Sequence, residues 1–565
     1  MRLLPLPHPV RLPANLVPVF ALALTLLPFT GLPADPASTS AAVDALFASP
    51  DRSGAPGAAV VVVREGAVVH SRGYGLADLE HQLPITPQTV FDVASVAKQF
   101  TGLAVAMLIQ EGKLSLDDEI HKYLPDVPDF GAPIAVRHLL YHTSGLRDWP
   151  ETLAFSGLSL EGPVTFETIL EMVRRQRELD FPPGSEHQYS NTGYNLLAAL
   201  IAKITEEPFG VWTGRRLFEP LGMAHTRFLV NPASIIPDRA ESYEADGPFG
   251  FRHVGNRLAA QGSSSLYTTA EDLGRWLINF DAPQPFAGPA LDLMHTAGRL
   301  DNGKPVGYAA GVGLGEYRGD PRVLHTGGWA AFRSLVMRLP KRRFGVAILG
   351  NDARLNVVAL GERIADLYVG AQLAPTPPKP APPATATNVD PARWKDYPGT
   401  YALGPDWLLT VSVEAGQLRT RATREAAFPA RPLSDTEFQV DAYGASIRFV
   451  RDASGAVNEL IYRGIHAPRL DPEVTPADTL VPLAGTYWSP ELRTVVTLET
   501  HEGRLRTWHP MIGWVDLHPL GTDRFGARQA GTIQFTRDAE SRVSGLKLSG
   551  SRVRNLRFER VNLPR

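Results

Sequence analysis

The sequence predicts an α/β domain, built as an antiparallel sheet covered by helices, followed by two small antiparallel β-barrel domains. Three observations predict it. Apolar hairpins stand at both ends of the longer N-terminal part with helical stretches between them, one proline-rich break follows, and a stretch beyond the break is duplicated. At roughly 100–200 residues per domain, 565 residues divide into about three or four units.

The first 36 residues read as a leader. Arg2 and Arg11 precede an apolar run, Leu16 to Phe29, and small residues follow at Ala34 and Ala37, the order of a secretory signal with cleavage near Asp35. The run has 14 residues and contains Pro18 and Pro28, short of the ~20 that span a bilayer. An exported protein without a stable membrane span after cleavage is expected.

Residues 37–373 carry the α/β pattern. Ala58 to Gly73 is two β-branched runs around Glu65-Gly66, a hairpin by composition. Ala97–Glu111 and Thr192–Thr205 have apolar residues at three- and four-residue spacing, the period of a helix. Arg333–Pro340 and Phe344–Gly350 form a second hairpin, turned by Lys341-Arg342-Arg343. Strands at both ends with helices between them predict one sheet made from both ends of the region.

Residues 374–393, APTPPKPAPPATATNVDPAR, form a stiff polyproline-type spacer with little to bury. Beyond it the chain repeats itself. Gly399-Thr400-Tyr401 recurs as Gly485-Thr486-Tyr487, and Phe449-x-Arg451-Asp452 as Phe535-x-Arg537-Asp538, both at an offset of 86. Leu418-Arg419-Thr420 recurs as Leu505-Arg506-Thr507 at 87. Two homologous β-domains follow, placed at 388–472 and 476–565, where two copies of ~85 residues fit closed barrels better than a solenoid.

Composition narrows the chemistry. Lys+Arg 56 against Asp+Glu 59 leaves a net charge of -3 without a basic stripe, so nucleic acid is not an expected partner. The absence of cysteine excludes disulfides, thiolate metal sites and cysteine nucleophiles.

Three motifs carry reactive residues. In Ser95-Val-Ala-Lys98, i and i+3 share one helical face, so the amine reaches the serine hydroxyl. Ser544-Gly-Leu-Lys547 has the same spacing but lies in an alternating β-segment, where the two side chains point to opposite faces. Tyr189-Ser190-Asn191 precedes a helix. Its tyrosine is either a packing residue or a phenolate-like base, the latter needing a cation such as Lys98, because the free phenol pKa is ~10. His325-Thr326-Gly327-Gly328 stands at the entry to the strand through Phe332, its glycines marking a bulge or an edge that a ligand or another backbone approaches.

In this order, SxxK, YxN and HTG resemble the penicillin-recognising serine hydrolases, in the branch of class C β-lactamases, D,D-peptidases, D-aminopeptidases and esterases. The phrases FDVASVAKQFTG, HLLYHTSGL, FPPGSEHQYSNTGYNLL and SSSLYTTAEDLGRWL are similar to that family, over about residues 40–370. The two β-domains make the chain similar to the three-domain D-aminopeptidase. The resemblance implies a β-lactamase-like sheet, Ser95 as nucleophile, and Lys98 and Tyr189 as proton-transfer pair. It implies substrate binding by Asn191, His325 and Thr326, and an oxyanion hole of the Ser95 and Gly328 N–H groups. No cofactor or metal is required.

β-lactamases of this branch usually have lysine where His325 stands. An imidazole of reference pKa ~6.5 is only partly charged at neutral pH, which weakens attraction for a β-lactam carboxylate. The expected function is therefore a serine hydrolase acting through an acyl-enzyme on a short peptide or amide with a D-residue. A carboxylester hydrolase, a D,D-carboxypeptidase or weak β-lactamase, and a non-catalytic ligand-binding protein stay open.

Overall fold

The computed structural model describes residues 36–48, 54–247, 250–375, 391–404, 407–422, 426–470, 477–510, 513–527 and 531–561. The expected leader and most of the proline-rich spacer lie outside them. Among the described residues no helix is long and apolar enough to cross a membrane.

The first sheet has six strands: β1 (Ala58–Arg64), β2 (Ala67–Tyr74), β3 (Gly313–Tyr317), β4 (Asp320–Trp329), β5 (Phe332–Leu339) and β6 (Phe344–Gly350), in the order β3-β4-β5-β6-β1-β2. Every pairing is antiparallel, and β1 joins the two ends of the region through Val60↔Ile348. The continuous apolar run in β1 reflects burial on both faces, as expected of a strand between layers. Val60 and Val62 pack with Val43, Phe47 and Ile364 from the terminal helices α1 (Pro36–Phe47) and α5 (Val357–Val369). Val61 and Val63 join the larger core with Leu273, Trp276 and Leu277 of α4 (Ala270–Asp281). That core also holds α2 (Lys98–Gln110) and α3 (Asn191–Thr205). Nearly every residue of α2 is buried, so it is a central helix rather than a surface one.

The two C-terminal repeats form separate sheets. The second is a closed barrel of eight strands between Gly485 and Val561. The first is a nine-stranded sheet whose end strands, Phe428–Pro429 and Arg431–Pro432, follow one another directly in the chain, so the barrel is nearly closed. The duplicated residues touch each other in both copies. Tyr401 meets Phe449 edge-on at 5.7 Å, Tyr487 meets Phe535 at 5.9 Å, and the two tyrosine hydroxyls donate to Tyr397 O and Leu483 O.

One placement differs from the sequence reading. His325–Gly328 does not lie at the entry to the Phe332 strand but inside β4, a ten-residue strand that turns back into β5. β3 pairs with β4 only as far as Leu324, so the last five residues of β4 run past it. The glycines had hidden the strand, because they lack the side chains by which a β-segment is recognised.

Candidate functional site

Ser95 lies in a 3-10 turn, Ala94–Ala97, that runs straight into α2. Ala94 has φ 46°, a left-handed conformation that costs a residue with a Cβ of order 1–3 kcal/mol. Asp92 holds it there, its Oδ1 accepting the Ala94 N–H at 2.8 Å. The turn is also fixed to the sheet: Ser334 Oγ donates to Val93 O at 2.7 Å. At Gly327 a Cβ would lie 2.1 Å from the same carbonyl. The close approach that this glycine permits is therefore to the backbone carrying Ser95.

The structure brings Ser95, Lys98, Tyr189 and Asn191 together. Lys98 Nζ lies 3.1 Å from Ser95 Oγ, 2.8 Å from Asn191 Oδ1 and 2.7 Å from Ser263 O, and 4.8 Å from the centre of the Tyr189 ring. Lys98 is fully buried. Burial holds its pKa well below the ordinary lysine value, nearby Asp148 opposes that, and Arg552 adds to it. In this arrangement Nζ donates to all three oxygens; on losing a proton it would keep two N–H groups for the carbonyl oxygens and turn its lone pair to the Ser95 hydroxyl.

Asp148 determines which way the Asn191 amide points. Its Oδ1 accepts the Asn191 backbone N–H at 2.7 Å and Asn191 Nδ2 at 3.0 Å, so Asn191 Oδ1 faces Lys98. Asp148 is buried, which raises its pKa. Arg552, the Asn191 N–H and Lys98 pull it back down.

Tyr189 corrects one expectation. Burial raises the phenol pKa well above its usual value and the interaction with Ser95 only partly opposes this, the opposite direction to the one a phenolate-like base needs. His325 corrects another. It is buried, accepts the Tyr308 hydroxyl at Nε2 (2.9 Å) and donates from Nδ1 to Thr326 O at 2.7 Å. Burial, then Lys98, lowers its pKa to about 3. It is a neutral ring behind the site and not a partly charged group facing substrate. Thr326 and Gly328, on the opposite face of the strand, are half-buried and exposed. A cavity of 520 Å3 begins at Gly328 and is lined by Trp329, Arg333, Glu161 and Glu244 among others.

Sequence reasoning missed His142, Asp148, Ser263, Tyr308 and Arg552. His142 packs on Tyr189, Tyr194 and Tyr308 at 4.3–5.1 Å, and its Nδ1 accepts the Ser190 N–H. It lies in HLLYHTSGL, and Ser263 opens SSSLYTTAEDLGRWL, so the signal for both stands in phrases similar to the family. Arg552 comes from the second barrel, in the loop 550–555 between Val543–Ser549 and Leu556–Val561. Its guanidinium stands 5.0 Å from the Tyr189 ring centre and donates to Asp148 Oδ2 at 3.0 Å. Among the described residues no cluster of side chains suited to hold a metal ion is found.

A family model described as Beta-lactamase matches residues 43–371. The chain is 31% identical over 307 residues to Protein flp of Staphylococcus aureus (strain MRSA252), covering 52% of this chain and 59% of that one. It is 27% identical over 329 residues to D-aminopeptidase of Gluconobacter oxydans (strain 621H), covering 58% and 61%. The matches span about three fifths of each of these relatives. Among solved structures, the octameric penicillin-binding protein homologue from Pyrococcus abyssi has a TM-score of 0.55 at 20% identity, over 85% of this chain and 100% of that one. D-amino acid amidase from Ochrobactrum anthropi SV3, complexed with L-phenylalanine amide, has 0.51 at 21%, over 59% and 99%. These two likenesses establish the fold.

Proposed function

Because the chain belongs to the Beta-lactamase family and is a serine hydrolase, we propose that it cleaves an amide bond beside a D-residue in short peptides, through an acyl-enzyme on Ser95. The observation that carries the reading is the buried Lys98 amine, bound to Ser95 Oγ and to two carbonyl oxygens.

Lys98 takes the Ser95 proton as Oγ attacks the substrate carbonyl. The Ser95 and Gly328 N–H groups receive the developing oxyanion, each such donor commonly contributing ~10²–10³ in rate. The proton then passes from Lys98, through the protonated Tyr189 hydroxyl, to the leaving nitrogen. Water enters, gives its proton to the same pair and releases the acyl group from Ser95. Asn191, with its amide fixed by Asp148, is the side chain offered to the substrate amide. The neutral His325 supplies no fixed charge for a β-lactam carboxylate, which favours amide over β-lactam substrates. The D-configuration is supported by the likeness to D-aminopeptidase. Short substrates are supported by the barrel loop 550–555, which stands over the Tyr189 side of the centre. The leader pattern in residues 1–36 supports export.

Paired D-Ala and L-Ala anilides, measured beside a short-chain ester, test the substrate class. Turnover of the D-anilide well above the L-anilide, abolished in Ser95→Ala and unchanged in Ser544→Ala, is expected. Turnover of the ester alone would replace the peptidase reading with an esterase one.

A further inference from the structure

We propose that Arg552, carried by the C-terminal barrel, is a positioning residue of the hydrolytic centre, and that the catalytic lysine is correctly set only while the barrel is docked. The proposal rests on the Ser95–Lys98 reading above.

The chain of contacts is continuous. Arg552 Nη1 donates to Asp148 Oδ2 at 3.0 Å, Asp148 Oδ1 accepts both N–H donors of Asn191, and Asn191 Oδ1 accepts from Lys98 at 2.8 Å. The loop that delivers Arg552 is held on both sides. Glu151 accepts the Ser551 and Arg552 N–H groups, and Asp148 N donates to Arg552 O at 3.2 Å. Two residues on, Arg554 N donates to Asp180 Oδ1 at 2.7 Å, while Arg147 of the first domain donates to Arg554 O. The buried carboxylates of the catalytic domain thus bind the backbone of a loop that carries the Arg552 guanidinium to Asp148 and Tyr189.

A guanidinium is suited to this position. Without a cation opposite it, the buried Asp148 carboxylate has two ways to relieve its isolation. It takes up a proton, which weakens its hold on Asn191, or it draws the positive charge onto Lys98. The first loosens the Asn191 that holds Lys98 in place, and the second, which the titration below reads, charges a lysine that must be neutral to accept the serine proton. The other titratable groups around Lys98 do not supply that cation. Tyr189, Tyr194 and Tyr308 are phenols with raised pKa. His142 and His325 are imidazoles held neutral by burial, and His187 beyond them is likewise lowered. Arg552 is the permanent cation in contact with Asp148 among the described residues.

The rate at which a fluorophosphonate labels Ser95, followed against pH, tests this without a known substrate. Labelling requires neutral Lys98, so it rises with pH through the lysine's own titration. Arg552→Met removes a positive charge from beside Lys98. Its acid limb is expected to move up by about one pH unit, with about tenfold slower labelling on that limb. Arg552→Lys should return both to near the wild-type values. Asp148→Asn removes a negative charge and should move the limb the other way, to lower pH. Superimposable wild-type and Arg552→Met profiles overturn the proposal. So does a uniform loss of rate with an unmoved limb that lysine fails to rescue, because that marks a merely structural contact. Absence of Ser95 labelling in the wild type would instead sink the nucleophile assignment, and the proposal with it.

Discussion

At the scale of single residues, burial decides the chemistry. Lys98, His142 and His325 all have pKa values below their ordinary positions because each is removed from water. Motif spacing singled out Ser95 with Lys98, and the family resemblance supplied the roles of Tyr189 and Asn191. Neither gave an account of their protonation, since desolvation comes from segments far away in sequence. His325 shows the consequence: read as a partly charged group titrating near 6.5, it is neutral down to about 3. The sign of its effect on stability follows. Above pH 6.5 the imidazole is neutral in folded and unfolded chains alike. As pH falls the unfolded chain binds the proton first, so stability decreases from about pH 6.5 down toward 3. In His325→Gln the fall in thermal midpoint over that range should be shallower than in wild type. Parallel curves would show that His325 takes no part in acid denaturation.

At the scale of elements, the hairpins and helices were legible wherever side chains set the period. Val60 to Val63 and Leu335 to Leu339 announce strands because both sheet faces are apolar. β4 is not legible because His325-Thr326-Gly327-Gly328 has no such period: a glycine there answers to a close neighbour or to none, and in either case carries no side chain that marks a strand. Gly327 and Gly328 separate these causes. A methyl group at Gly327 meets Val93 O at 2.1 Å, whereas at Gly328 its nearest neighbour is Arg333 Nη1 at 3.8 Å. Gly327→Ala should push the Ser95 turn off the sheet and lower kcat/KM by 10²-fold or so. Gly328→Ala should stay within about threefold of wild type, since its N–H group is kept. Equal kinetic effects of the two substitutions would contradict the packing of that turn on β4.

At the scale of the whole molecule, the barrel and the catalytic domain are joined through buried charge. Arg147 is 2% exposed and is paired with Glu491 of the second barrel and with Asp180 of its own domain. Arg147→Met takes the ion-pairing guanidinium away from both buried carboxylates, and breaking a buried pair in this way typically costs about 3–5 kcal/mol. The expected result is a lower thermal midpoint; an unchanged melting curve would show that the ion pair does not hold the domains. If the docked loop restricts substrate length, this variant should also accept longer D-residue peptides than wild type, as read from kcat/KM over a length series. The docking was written in the sequence but not in the motifs. Arg469 and Arg560 make matching contacts, to Pro398 O and Ala484 O, at an offset of 91 rather than 86. The extra residues fall in the last hairpin of the second repeat, where loop 550–555 replaces a turn of two, 463–464. The longer offset marks the loop in the sequence, though not the buried Asp148 it meets. Nucleophilic attack by Ser95, the step on which the acyl-enzyme depends, is read by intact mass and peptide mapping after fluorophosphonate treatment, which displaces fluoride and leaves a phosphonyl ester on the hydroxyl that reacts. One adduct per chain on the peptide containing Ser95, absent from Ser95→Ala of unchanged fold, is the predicted result. An adduct that persists in that variant, mapped to another residue, would contradict it.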